Sequence, residues 1–376
     1  MTVYNVNLGI GWASSGVEYA QAYRAQSLRK LKIPAKFIFS DLILANNIED
    51  LTKNLGYSDD EIIWFYNFFT DVKIAPSDYP LSKFEDDINL KDRNFNRKEI
   101  NGGKNYFYTS DEEGLSINVR FHDPEKKTID QVSYVANGAM VKRDFYSYTK
   151  YATEYYSGEK KGNHVVYRDF CNEDGSVAYT QHIRGRHEVF EFPDQIYYSK
   201  NDLYLEMLKR LHLTKNDTII LDREDDGNIL INGQLIFEHH NPAKLVIVVH
   251  ADHYDDHYTN KKNVLWNNFY EYQFTHTKDV ASFIVATDKQ RDLLIKQFKQ
   301  YQNVTPNVTT IPVGNLQKLT KPTTKRKPHS LITASRLATK KHIDWLVKAV
   351  AKAHKEVPDL PWTSTVRVAK WAGWLN

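Results

Sequence analysis

Apolar and polar positions near the start of this chain follow the pattern of a strand, a turn and a helix. The apolar run Val3 to Leu8 leads through a Gly/Ser-rich turn at residues 9–16 into a segment whose apolar positions recur every three or four residues. That segment has the stripe of a helix lying on a sheet. The stripe consists of Val17, Ala20, Tyr23, Ser27, Leu28 and Leu31. Ala35 to Ser40 then predicts a second parallel strand, so the chain opens as a Rossmann-like unit with a right-handed crossover.

From about Tyr106 the period of the pattern changes to two. Seven segments alternate apolar and polar residues, and turn signals such as residues 111–114 and 172–175 separate them. Such alternation is typical of antiparallel strands with one face toward water. The segments are YFYT, LSINVRF, QVSYVAN, MVKRDFYSY, HVVYRDF, SVAYTQHIRG and HEVFEF. We therefore predict an all-β insertion over residues 85–200.

The parallel pattern resumes after the insertion. A helix is predicted at Leu203 to Leu213, followed by buried strands at Thr218 to Asp222, Leu245 to His250 and Phe283 to Thr287. These elements complete a first Rossmann-like domain made of residues 1–84 and 201–320.

A second domain is predicted to begin after a linker. Lys321 to Pro328 is polar, basic and bounded by prolines, which is typical of a linker. A strand at Ser330 to Ala334 and an amphipathic helix at His342 to His354 then start a second Rossmann-like domain, residues 329–376. The predicted fold class is α/β with two Rossmann-like domains and an antiparallel β insertion in the first. We expect the second domain to be incomplete, since only ~50 residues remain for it, whereas a domain usually has ~100–150.

Composition narrows the functional classes. The 376 residues carry 50 Lys and Arg against 47 Asp and Glu, so no general attraction to nucleic acid is expected. The single cysteine, Cys171, cannot form an internal disulfide, and the start lacks the pattern of a secretion signal. Apolar runs are too short to span a membrane. We expect a cytoplasmic protein whose membrane contact, if it has any, is peripheral.

The turn at the start of the first helix is a candidate nucleotide site. A helix N-terminus presents unpaired backbone N–H groups, which suit a diphosphate, and here these belong to Ser15, Gly16 and Val17. The glycine spacing matches neither the dinucleotide fingerprint nor the P-loop, so a plain strand-to-helix turn explains the glycines equally well.

His250 is the second candidate, because ligands of open α/β sheets bind at the carboxyl ends of strands. Residues 251–257 add two histidines and three aspartates, which leaves a metal cluster as one interpretation. Their spacing matches no metal template, which favours a loop that hydrogen-bonds a polar ligand.

The third candidate is the basic turn with Arg336 and Lys341, five positions apart between a predicted strand and helix. The planar guanidinium and the ammonium can converge on one diphosphate. The alternative is a solvated basic turn.

Several segments together resemble retaining nucleotide-sugar glycosyltransferases of GT-B architecture. More closely, the chain is similar to the GtfA family, the catalytic subunits of the accessory secretion system of Gram-positive bacteria, from residue 1 to about Pro361. The segments that carry the resemblance are MTVYNVNLGIGWASSGVEYAQAYRA, FIFSDLILANNI, WFYNFFTDVKIAPSDY, VVHADHY, FIVATDKQ, TIPVG and LITASRLATKKHIDWLVKAV.

The resemblance implies transfer of GlcNAc from UDP-GlcNAc to Ser/Thr of serine-rich repeat adhesins, the first step of their O-glycosylation. It implies a complex with the homologous co-chaperone GtfB, held through the β insertion, which also meets the acceptor. No metal or other cofactor is implied. Gly16 matches the nucleotide-binding glycine, with Ser15 and Val17 beside it, and His250 matches the sugar-contacting histidine. Arg336 and Lys341 match the catalytic pair at the diphosphate.

The end of the chain departs from the resemblance. The family's Glu-x7-Glu motif is expected beyond residue 376, and the closing TSTVRVAKWAGWLN resembles neither the family nor a continued Rossmann pattern. We interpret this tail as the product of a frameshift or premature stop, and we expect weak activity or none.

Two other functions fit parts of the pattern. A non-catalytic chaperone or scaffold subunit would bind the adhesin through the Tyr-rich β insertion. A lectin-like β module would explain residues 85–200 but would leave the parallel strands on either side without a function.

Overall fold

The structure of the chain is a computed structural model. It describes residues 1–7, 9–222, 234–314, 331–336, 339–356 and 362–367. Contacts within the chain separate two compact units, residues 1–316 and 317–376.

The described residues of the first unit form a seven-stranded, all-parallel sheet. The strand order is β3-β2-β1-β14-β15-β18-β19, so the chain builds outward from β1 in one direction and then from β14 in the other. The strands are β1 (Val3–Asn7), β2 (Ala35–Phe39), β3 (Ile62–Trp64), β14 (Thr218–Leu221), β15 (Lys244–Val249), β18 (Ser282–Val285) and β19 (Val308–Thr310). This is the doubly wound arrangement of a Rossmann-like domain. Between β15 and β18 in the chain, β16 (Tyr254–Asp255) and β17 (Leu265–Trp266) form a short antiparallel pair.

Helices of the first unit begin at side-chain caps where the sequence supplies them. Ser15 caps the first helix in a capping box with Glu18, and Asn47 and Thr287 cap the second and the last. The helices are α1 (Gly16–Lys30), α2 (Ile48–Leu55), α3 (Leu81–Asp87), α4 (Lys200–Arg210), α5 (Leu235–His239), α6 (Glu271–Thr275) and α7 (Asp288–Gln302). None of the helices in the described ranges is long and apolar enough to cross a membrane.

The predicted stripe of the first helix is only partly right. The buried residues of α1 are Ala20, Gln21, Ala22 and Ala25, whereas Leu31 is 61% exposed. The helix therefore lies on the sheet through small side chains and a polar one, which brings its backbone close to the strands. Two strands of the parallel sheet, β3 and β19, were missed by the pattern because three residues are too few to establish a period.

Residues 96–197, all of which the structure describes, form a ten-stranded antiparallel sheet in simple sequential order. Its strands are β4 (Asn96–Ile100), β5 (Asn105–Ser110), β6 (Leu115–Asp123), β7 (Thr128–Ala136), β8 (Ala139–Tyr146), β9 (Lys150–Tyr156), β10 (Val165–Cys171), β11 (Val177–Arg184), β12 (His187–Glu191) and β13 (Ile196–Tyr197). Period-two alternation found seven of them. It missed β4, β9 and the two-residue β13, and β4 lacks the pattern because its residues are mostly exposed at the sheet edge.

One core joins the insertion to the parallel sheet. Phe145, Phe170 and Tyr179 of the insertion belong to the same buried cluster as Phe37 and Leu245 of the parallel strands. A second cluster packs the other end of the insertion against α3. The predicted boundaries of residues 85–200 stay a prediction, since packing is continuous across them.

The second unit contains a strand–helix–strand segment. β20 (Leu331–Arg336) and β21 (Trp362–Arg367) pair in parallel, and α8 (Ile343–Ala353) lies between them in the chain. The prediction that the closing segment, residues 363–376, does not continue a Rossmann pattern is therefore wrong for residues 363–367, which lie in β21. Its β-branched Thr and Val residues favour a strand. The predicted linker Lys321 to Pro328 lies outside the described residues.

Candidate active site

The direction of strand succession reverses between β1 and β14, and a ligand of an open α/β sheet binds outside the carboxyl ends of the strands at such a point. β14 ends at Leu221, and Asp222 follows it at this edge. One strand further along, β15 ends at Val249 and places His250 at the same edge. The helix α1 starts above this edge, since it follows β1 directly.

Asp222 is the centre of a buried polar network. Its side chain is 1% exposed. Arg24 donates to both carboxylate oxygens, at 2.7 and 2.8 Å. Gln21 Nε2 donates to Oδ2 at 2.7 Å, and His250 Nε2 lies 2.8 Å from Oδ1. Every oxygen of this carboxylate thus has two partners.

The network keeps Asp222 ionised although it is buried. Burial alone would raise the pKa of the Asp222 carboxyl, but the charge and hydrogen bonds of Arg24, followed by those of His250, hold that pKa well below its usual range. Burial would lower the pKa of Arg24, and the Asp222 carboxylate outweighs it, so the Arg24 pKa is raised. Arg24 also donates to Asn5 Oδ1 at 2.8 Å, which ties α1 to β1.

Both the backbone and the side chain of His250 are held. Its backbone N–H donates to the Tyr270 hydroxyl at 2.9 Å, while its Nε2 lies within hydrogen-bond distance of Asp222 Oδ1. The imidazole is 9% exposed. His250 is therefore an oriented side chain at the carboxyl edge of the sheet, as a ligand-contacting residue requires.

At the start of α1, part of the predicted anion site is used by the chain itself. Ser15 Oγ accepts the Val17 N–H at 3.3 Å, and the Ser15 N–H donates to the Glu18 carboxylate. Gly16 differs, because a Cβ built on it would meet no atom of the described residues within 4 Å. Its φ is not left-handed. Among the described residues of the first unit, neither crowding nor backbone conformation explains a glycine here.

The metal interpretation of residues 250–257 is not supported by their geometry. His250 turns to Asp222, whereas His253 is buried with Nε2 2.6 Å from Gln297 Oε1. The His257 side chain is 93% exposed. Across the described ranges, no three His, Cys, Asp or Glu side chains are grouped so as to hold a metal ion.

The basic pair lies in the second unit. The backbone of Arg336 ends β20, and its side chain lies outside what the structure describes. Lys341 is exposed in the short turn before α8. The predicted strand–turn–helix around the pair is thus present. In the first unit, the structure connects the helix that begins at Gly16 to His250 through Asp222.

Sequence reasoning missed Asp222, Arg24 and Gln21 as site residues. Two signals were available. Asp222 is a charged residue directly after a buried strand, and Gln21 and Arg24 lie three apart on the helix face that turns toward the sheet.

The doubly wound parallel sheet of the first unit and the parallel strand–helix–strand segment of the second unit belong to the GT-B fold class. A crystal structure of TarM shares this fold, with a TM-score of 0.71 at 15% identity over 97% of this chain and 71% of that one. The family model described as the GtfA extended beta-sheet domain matches residues 96–194.

Sequence similarity identifies the family within that class. A Limosilactobacillus reuteri subsp. suis protein named UDP-N-acetylglucosamine–peptide N-acetylglucosaminyltransferase GtfA subunit is 63% identical over 96% of this chain and 70% of its own length. The Streptococcus gordonii protein of that name is 48% identical with the same coverage. A crystal structure of the pneumococcal O-GlcNAc transferase GtfA in complex with UDP and GlcNAc has a TM-score of 0.88 at 44% identity, over 97% of this chain and 70% of that one. The chain belongs to the GtfA family.

Proposed function

We propose that this chain transfers GlcNAc from UDP-GlcNAc to Ser/Thr hydroxyls of a peptide. The observation that carries the proposal is the 63% identity to a relative named for that activity. The buried network that orients His250 at the strand ends is consistent with it, because a sugar donor needs a fixed polar contact at this edge.

The chemistry follows from where charge develops. As the bond from the sugar to UDP breaks, negative charge grows on the β-phosphate and the sugar becomes oxocarbenium-like. Fixed cations and backbone donors at the diphosphate lower that barrier. In this proposal Arg336 and Lys341 supply the cations and Gly16 the close backbone approach. The departing phosphate takes the proton of the acceptor hydroxyl, so no side-chain base is required.

The β insertion is proposed to hold a GtfB partner and to meet the acceptor, a serine-rich repeat adhesin. Support comes from the match of residues 96–194 to the extended beta-sheet domain and from a solved structure described as a GtfA/B complex, with a TM-score of 0.88 at 45% identity over 98% of this chain and 72% of that one. The proposed location is the cytoplasm, with peripheral contact to the inner face of the membrane.

Transfer can be measured directly. The 376-residue chain is mixed with a GtfB partner, radiolabelled UDP-GlcNAc and a serine-rich peptide, and label on the peptide is counted. We expect weak incorporation by the unmodified chain and a further fall of about tenfold in His250→Ala, because losing one polar contact costs about 1.4 kcal/mol. His257→Ala is the matched control, since that histidine follows the same strand with an exposed side chain.

The scaffold alternative makes a different prediction. A non-catalytic subunit would bind the peptide but neither UDP nor UDP-GlcNAc, and label would stay off the peptide with either variant. That outcome would reject transferase activity for this chain.

A further inference from the structure

We propose that Asp222 is a positioning residue that determines which nitrogen of His250 carries the proton, leaving Nδ1 to accept a hydrogen bond from a hydroxyl of the donor sugar. The inference rests on the proposed function for the identity of the ligand. Its first half, the protonation of the imidazole, can be tested without any ligand.

The first step is the state of the carboxylate. Three donor groups besides the imidazole point at it: both terminal nitrogens of Arg24 and the amide of Gln21. A carboxylate that receives these bonds while paired with a guanidinium has no proton of its own to give. The short contact to His250 therefore requires that Nε2 donates.

The second step concerns the other ring nitrogen. A neutral imidazole with its proton on Nε2 has a lone pair on Nδ1, so Nδ1 can only accept. Within the described part of the chain, no group makes a hydrogen bond to Nδ1. A sugar hydroxyl is a donor of the right kind, whereas a phosphate oxygen is an acceptor and is not.

The third step concerns the donors besides His250 that bind the Asp222 carboxylate. Oδ1 serves Arg24 and His250, and Oδ2 serves Arg24 and Gln21. The carboxylate cannot turn away from the imidazole without losing a second bond. A lone carboxylate could reorient, so the additional donors act on His250 through Asp222.

The same helix offers a matched ion pair without a histidine. Arg29 of α1 donates to both oxygens of Glu61, at 2.9 and 2.6 Å, at the opposite edge of the sheet where β3 begins. If Asp222 only tied α1 to the sheet, Asp222→Asn and Glu61→Gln would have the same kind of effect. The positioning role predicts that they differ.

The experiment combines imidazole ¹⁵N NMR with ligand binding at pH 8. The His250 signals are those lost in His250→Gln. We expect the proton on Nε2 in the unmodified chain, a mixture of both tautomers in Asp222→Asn, and no change in Glu61→Gln. By calorimetry, Asp222→Asn should weaken UDP-GlcNAc about tenfold while UDP changes less than about twofold, because the nucleotide alone lacks the sugar.

A proton on Nδ1 in the unmodified chain would overturn the inference, even if Asp222→Asn does not fold. An Asp222→Asn protein that keeps the Nε2–H form, or that weakens UDP as much as UDP-GlcNAc, would overturn it as well. Failure of the proposed function has a separate signature: neither UDP nor UDP-GlcNAc binds, while the tautomer results stand as predicted.

Discussion

The substitution Gly16→Ala tests whether Gly16 is needed for the fold or for nucleotide binding. The added methyl would meet no atom within 4 Å among the described residues, and the glycine is not in the left-handed region, so we expect the substitution to cause no strain. Alanine loses less conformational freedom than glycine on folding, so we expect the free energy of unfolding to rise by about 0.5 kcal/mol. A purely structural turn would show that gain and nothing else.

The affinity of Gly16→Ala for UDP is expected to fall, although its free energy of unfolding rises. If a diphosphate contacts the Gly16 backbone, a methyl group at this position would push it away and cost about one charge-assisted hydrogen bond. That loss is about 1.5–3 kcal/mol, or a roughly 10- to 150-fold weaker Kd for UDP. Stability is measured by urea unfolding and binding by calorimetry.

Gly11→Ala is the matched control, because Gly11 belongs to the same loop and its Cβ would also meet no described atom within 4 Å. We expect little change in UDP affinity for this control. Equal UDP affinity of Gly16→Ala and the unmodified chain would refute the placement of the diphosphate. A loss of stability above about 1 kcal/mol would instead reveal a structural role for the glycine.

Three further predictions concern stability. The buried hydroxyl of Tyr179 donates to the Tyr66 carbonyl at 2.8 Å, so Tyr179→Phe should lower the free energy of unfolding by about 1–2 kcal/mol in urea. The buried Tyr204 hydroxyl has no partner in the described part of the chain, so Tyr204→Phe should be neutral or stabilising, and an equal loss in both variants would contradict the argument. Burial lowers the pKa of His253, so the unfolded chain binds a proton that the folded chain resists, and stability should fall as pH drops below about 6.5. His253→Phe should reduce that pH dependence in urea titrations at several pH values while His257→Asn keeps it, and an unchanged slope in His253→Phe would disprove the assignment.

The periodicity of apolar residues predicted many of the helices and strands. Alternation with period two predicted seven strands of the insertion, and three- and four-residue spacing predicted α1 and α8. Both patterns reflect which face of an element meets the core, which is written into neighbouring residues. The misses have the same origin, since three-residue strands such as β3 and an exposed edge strand such as β4 present no such pattern.

The sequence by itself determined many of the helices and strands and the family resemblance, and it located His250 at the end of a strand. Only the tertiary structure decided what holds His250. Arg24 and Asp222 lie 198 residues apart in the chain, and the strand order that places β14 beside β1 brings them together. A periodic pattern describes one element at a time. The pairing of charges on separate elements depends on how those elements are arranged in space, and this arrangement created the network around Asp222.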